Sequence, residues 1–227
     1  MQREYNRHGF FCFAPQDSGT RELRCLKPGE SGINTLCRVL EVSPKTMRTK
    51  EGQQKVVLTG VIADHTAKVP FVAWSQARMV KNKVVRVENA YVKVWKGLPT
   101  LYISKKTQLQ EQAIDFPGYA ELRKPKKRTI AEIVGCGGAF DVIVEGDIVS
   151  SPAEEHKNRS VLDDGTGAVY LDSGVNSTDI AFGTPIKVRG NVVAESEGEY
   201  VLIAEKVKVT GGEFVIRELK NFLARYN

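Results

Sequence analysis

Trp74, Tyr91, Trp95 and Tyr102 are the residues of this 227-residue sequence whose type and spacing suit them best to binding chemistry. In the run Lys68-Val69-Pro70-Phe71-Val72-Ala73-Trp74, a two-residue period puts Val69, Phe71 and Ala73 on one face and Val72 and Trp74 on the other. From Asn89 to Gly97, Ala90, Val92 and Val94 form the apolar set, and Tyr91, Lys93 and Trp95 stand opposite. From Thr100 to Ser104, Leu101 and Ile103 turn inward, and Thr100 and Tyr102 turn outward. Rings on a solvent face stack on planar groups, and every nucleobase offers such a face, at about 1–3 kcal/mol per contact. Lys45, Arg48, Lys50 and Lys55 cluster in the loop expected between the first two strands, and Lys93 and Lys96 lie near the turn between the last two. These six cations and four rings form the candidate nucleic-acid-binding set. The other occupant open to the same rings is the N-terminal arm or a partner protein.

The elements that position them are short. β-branched runs recur at 36–42, 55–63, 67–74, 84–94 and 100–104, and the same order returns at 142–149, 160–162, 168–171, 185–193 and 200–209. The expected fold class is all-β, with two tandem five-stranded OB-fold barrels and a C-terminal amphipathic helix; an SH3-like barrel is the rival. The expected domains are an N-terminal arm (1–30), a nucleic-acid-binding OB fold (31–110), a linker (111–138), a structural or assembly OB fold (139–212) and an assembly helix (213–227). The linker's basic run, 123–128, reads as a solvated hinge, with phosphate contact as the other possibility. Thr129 with Glu132 three residues on predicts a capped short helix over 129–134. In the tail, Val215, Leu219, Phe222, Leu223 and Tyr226 make one apolar stripe, which covers the chain's own barrel or packs with helices of other subunits.

Charge separates the two halves. Residues 1–110 hold 19 Lys or Arg against 8 Asp or Glu, whereas residues 136–212 hold 6 against 13. The net +6 of the whole chain therefore hides a dipole, and the first half alone is suited to a polyanion. The second half offers only Tyr170 on its third strand and carries Glu154, Glu155, Glu195, Glu197 and Glu199 on its clamp loops. Cys12, Cys25, Cys37 and Cys136 are scattered without a C-x-x-C pair, which predicts reduced thiols rather than a disulfide framework or a zinc site. His8, Cys12 and Cys25 lack a fourth ligand, and Asp163-Asp164-Gly165 reads as a tight turn, so no metal and no cofactor are expected. His8, His65 and His156 lie far from any nucleophile or carboxylate grouping with catalytic spacing, which argues against an enzyme. No apolar run approaches a membrane span and no signal peptide opens the chain, so a cytoplasmic, nucleoid-associated protein is expected.

The runs 68–74, 89–97 and 162–169 resemble the OB repeats of archaeal replication protein A, over roughly residues 33 to 210. The resemblance implies sequence-independent binding of single-stranded DNA in replication, repair and recombination, without catalysis. It places Trp74 and Tyr91 where that family stacks bases. It also implies other replication protein A subunits as partners, through the second OB fold and the tail helix. The chain departs from the family's large subunits in having no cysteine from Ser150 to Arg159, where they often carry a zinc module. An OB-fold adaptor that mainly binds other proteins of a replication or repair complex is the alternative.

Overall fold

Valine-rich runs bounded by Gly, Pro and Asn become the strands that their period predicts. The computed structural model describes residues 19–48, 52, 54–74, 77–153, 159–174, 180–196 and 198–210. The first five strands are β1 (Ser31–Arg48), β2 (Gln54–Ala63), β3 (Lys68–Trp74), β4 (Val84–Trp95) and β5 (Leu98–Ile103). β1 pairs with both β2 and β4, β2 with β3, and β4 with β5, all antiparallel; a parallel β3–β5 pairing closes the ring. β6 (Gln108–Gln112), which the sequence reading did not contain, pairs with β4. Phe71, Ile62, Leu101 and Ile103 are fully buried inside this first ring. Gly60 sits where β1 bends across β2, and a Cβ there would lie 1.9 Å from the Glu41 carbonyl oxygen. Only glycine admits that crossing.

The second ring repeats the order with β8 (Ala139–Ala153), β9 (Arg159–Asp163), β10 (Ala168–Asp172), β11 (Pro185–Ser196) and β12 (Glu199–Val209). Its closing pair, β10–β12, is again parallel. A matching turn shows the repetition in detail. In the first ring Asp64 accepts hydrogen bonds from the Thr66 and Leu23 amides, the latter opening a 3-10 turn, Leu23–Cys25. In the second ring Asp164 accepts from the Thr166 and Ile130 amides, the latter opening a helix. Burial alone would raise the Asp164 carboxyl, but the hydrogen bonds from Thr166, Ile130 and Gly167 outweigh it and hold it below the usual carboxylate range. The Asp163-Asp164-Gly165 segment is thus the turn expected of it, and no metal-ligand cluster is found among the described residues.

The segment between the rings corrects the sequence reading. Residues 113–138 are a packed connector rather than a solvated hinge, and they add α1 (Tyr119–Leu122), β7 (Lys126–Lys127) and α2 (Ile130–Gly135), so the fold is mostly β rather than all-β. α2 has the Thr129–Glu132 capping box that the spacing predicts. β7 lies parallel to β8, and the buried Arg128 guanidinium donates to the carbonyls of Arg24 and Glu132. Cys25 is disulfide-bonded, against the expectation of reduced thiols; spacing along the chain carries no information on how closely two Cα atoms approach. Cys37 and Cys136 are free, and burial pushes the Cys37 thiol well up. The expected helix 213–227 and residues 1–18 of the N-terminal arm lie outside the described residues. Among the described residues no helix is long and apolar enough to cross a membrane.

The two rings meet at a charged seam. Lys68 opens β3 in register with Phe140 of β8, and its buried ammonium contacts the Asp141 carboxylate and donates to the Arg123 carbonyl at 2.7 Å. The other Asp141 oxygen accepts from Arg189 Nε at 2.6 Å. Burial would raise the Asp141 carboxyl, yet the hydrogen bonds and charges of Arg189 and Lys68 prevail and hold it below its ordinary value.

Asp141→Asn leaves Lys68 buried beside a neutral amide, so it is expected to cost about 3–5 kcal/mol in urea unfolding at neutral pH. Because the folded carboxyl titrates below the unfolded one, that advantage of the wild type is complete above the ordinary aspartate range of ~3.9 and shrinks as pH falls toward the lowered value. A difference that grows on acidification contradicts this account.

Candidate nucleic-acid interface

Closure of the first ring brings together rings that alternation had only turned outward. Tyr91 on β4 stands opposite Tyr102 on β5, and the two stack with centroids 5.3 Å apart and planes 18° from parallel. Burial lifts the Tyr102 hydroxyl above the ordinary tyrosine range, and Tyr91 adds to the shift. Tyr102 is in register with Val72, Val72 with Thr59, and Thr59 with Ser43, so one row crosses the ring from β4 to β1. Residues in register project from the same face. Two residues along, Trp74 stands opposite Val57, and Val57 opposite Lys45. Val57 and Val72 are wholly buried, yet neither belongs to the interior cluster. They form an apolar floor beside the half-buried rings of Trp74, Tyr91, Trp95 and Tyr102.

Cations close over those rings. Lys93 Nζ lies 5.2 Å from the centre of Tyr91. Lys45 Nζ at 5.2 Å and Lys96 Nζ at 5.3 Å share the Trp95 indole. A cation over a ring is attracted to its negative face, and Trp is the strongest partner. None of the three ammoniums pairs with a described carboxylate. The face therefore offers apolar floor, stacked rings and uncompensated positive charge together. A planar anionic polymer meets all three.

Several expectations about position change. Lys45 and Arg48 lie on β1 and Lys55 on β2, because the two strands extend as a long hairpin where a loop was expected. Lys55 and Lys45 share the face of Val57, whereas Arg48, three residues from Lys45, falls on the other side of the hairpin. Arg48 is exposed there, away from the rings' face. Lys50 lies outside the described residues. Thr100 projects with Tyr102 as expected but is wholly buried, its hydroxyl donating to the Leu98 carbonyl at 3.1 Å. Val57 and Thr59 were missed because both alternating sets of β2, Lys55-Val57-Thr59-Val61 and Val56-Leu58-Gly60-Ile62, carry branched apolar residues. Only burial separates them: Val56 is 61% exposed and Val57 not at all.

The turn that presents Trp95 is also anchored by the second ring. Lys96 and Gly97 have φ of +52° and +75°, the signature of a two-residue type I′ hairpin, so β5 starts at Leu98 rather than after Pro99. The Ala194 amide of β11 donates to the Gly97 carbonyl at 2.9 Å. A Cβ on Gly97 would lie 2.8 Å from Val193 Cβ and 2.9 Å from the Ala194 carbonyl oxygen. On the matching face of the second ring, Arg159 grips Glu195 through two hydrogen bonds of 2.9 and 2.7 Å and lies 3.7 Å from Asp172. There the charges are spent on one another.

Residues 26–111 match the model of the single-stranded DNA-binding protein Ssb-like OB fold. The single-stranded DNA-binding protein Ssb of Saccharolobus solfataricus is 28% identical over 119 residues, which span 51% of this chain and 80% of that protein. Among solved structures, the OB domain of a Thermoplasma acidophilum protein aligns with a TM-score of 0.40 at 20% identity, covering 44% of this chain and 92% of that domain. A replication protein A heterotrimer bound to single-stranded DNA aligns with a TM-score of 0.39 at 12% identity, over 90% of this chain and 55% of that one. The first ring is thus similar to the OB fold of Ssb-like single-stranded DNA-binding proteins.

Gly97→Ala forces a side chain into a positive-φ position already filled by Val193. It is expected to cost more than ~1 kcal/mol in thermal unfolding and to shift the fluorescence of Trp95, read in a Trp74→Phe background. An unchanged emission maximum would show that the second ring does not hold the turn.

Proposed function

We propose that this protein binds single-stranded DNA without catalysis and without sequence preference, in the manner of replication protein A. In this reading each ring is an OB barrel: the first makes the contact, and the second, with segment 213–227, serves assembly with other subunits. The observation that supports it most directly is the Tyr91–Tyr102 stack beside Trp95, with Lys45, Lys93 and Lys96 lying on the rings and paired with no described carboxylate. Electrostatic capture by Lys45, Lys55, Lys93 and Lys96 comes first, with Arg48 on the β1–β2 hairpin and Lys50 adding charge. Stacking of bases on Trp74, Tyr91, Trp95 and Tyr102 follows. Stacking and phosphate contact ask nothing of base identity, which makes the binding general. Such a protein protects exposed strands in the cytoplasm, on the nucleoid, during replication, repair and recombination.

Two measurements test the mechanism. If about four phosphates are neutralised, the logarithm of the affinity falls with the logarithm of salt at a slope near −2.8, from ~0.7 per contact. Trp74→Ala and Tyr91→Ala are expected to weaken binding by ~1–3 kcal/mol per lost stack while keeping that slope, and Lys45→Ala to flatten it. No binding of a labelled oligonucleotide at low salt, or a slope indifferent to the lysine, refutes the assignment.

A further inference from the structure

A second group of cations lies outside the ring-lined face, and it too meets no described carboxylate. Phe116, Tyr119 and Leu122 of the connector pack on Leu40, Val61 and Ala63, covering the part of β1 and β2 next to the row through Ser43 and Thr59. The Tyr119 hydroxyl donates to the Leu40 carbonyl at 3.1 Å, which fixes the ring. Lys81 Nζ then lies 5.6 Å and Arg123 Cζ 5.9 Å from its centre. The loop bearing Lys81 is bound to β1 through the Asn82 amide and the Val39 carbonyl at 2.8 Å. Beside them Arg38 donates to the carbonyls of Pro117, Phe116 and Asn82 and lies 5.9 Å from the Phe116 ring. Carbonyls satisfy its donors but leave its charge uncancelled.

Glu41, Asp115 and Glu121 are nearby in sequence, yet no described carboxylate is within 4.0 Å of Arg38, Lys81 or Arg123. Elsewhere on this ring Lys83 pairs with Glu111, and Arg86 with Glu88. Three cations without a counter-ion among the described residues, two of them on one pinned ring, make a site for anions. Leu40 precedes Ser43 by three residues, about 10 Å along a strand. The cluster thus begins roughly where the row from Tyr91 to Ser43 ends.

We propose that Lys81 and Arg123, held on Tyr119, form a second phosphate-binding surface, which takes the backbone of a single strand after it crosses β1. The inference rests on the single-stranded DNA reading above and lengthens its footprint. The double variant Lys81→Ala/Arg123→Ala is compared with wild type on oligomers of ~8 and ~30 nucleotides, one within and one beyond the reach of a single OB fold. The salt slope on the longer oligomer is expected to lose ~1.4, two contacts at ~0.7 each, and the affinity for the shorter one to stay unchanged. Lys81→Arg/Arg123→Lys is expected to keep the wild-type slope. Both side chains are exposed, and equal unfolding midpoints confirm that the variants fold. An unaltered slope on the longer oligomer, or an equal loss on both lengths, overturns this surface alone. Wild-type protein that binds neither oligomer overturns the DNA reading and this surface with it.

Discussion

An ammonium taken out of water must meet a carboxylate, and the seam between the rings is built on that requirement. Lys68 is buried at the first position of β3, and the group that answers it, Asp141, belongs to β8 of the other ring. Arg189 of β11 binds the opposite oxygen, so the carboxylate stays ionised between two cations. Separating the rings would leave the least hydrated of these charges without a partner. Lys68 and Trp74 stand at opposite ends of one strand and on one face, six residues apart. The contact that orients the second ring thereby also sets the position of the strand bearing the first outward indole.

The consequences reach the far side of the face. With the rings locked, the Ala194 amide meets the Gly97 carbonyl, and the hairpin carrying Trp95 and Lys96 has little room to move. The second ring, whose sequence is acidic, still shapes the first ring's surface. On its side Arg159 pairs with Glu195, and Lys187 and the connector's Lys127 pair with Glu145, whose carboxyl they hold at about 2. The first ring leaves Lys45, Lys93 and Lys96 on aromatic faces instead. On the matching faces the charge imbalance counted along the chain thus appears as lysines on aromatic rings with no described carboxylate partner in the first ring, and as an Arg159–Glu195 salt bridge in the second.

Much of the face was legible in the sequence where one alternating set was apolar and the other was not. β3 and β4 read correctly on that ground, and so did the Thr129–Glu132 capping box and the Asp164 turn, which depend on neighbours a few residues apart. β2 did not read, because both of its faces carry valines and hydropathy cannot choose between Val56 and Val57. Lys45 and Arg48 were expected in a loop because Pro44, Lys50 and Gly52 look like turn residues, yet pairing continues to Arg48 opposite Gln54. The connector looked like a hinge because all six residues of its run 123–128 are basic or proline. Its burial depends on carbonyls of Arg24 and Ile143, which lie on both rings.

By itself the sequence determined which way Trp74, Tyr91, Trp95 and Tyr102 point, since a two-residue period is a property of the local backbone. It likewise determined that one half would be basic and the other acidic. Tertiary structure alone decided that Tyr91 meets Tyr102, that Lys45 and Lys96 converge on Trp95, and that Lys68 rather than another lysine is buried. Those contacts join residues up to 73 positions apart. They form only when each ring closes and the two dock, steps governed by packing between distant segments rather than by any local period.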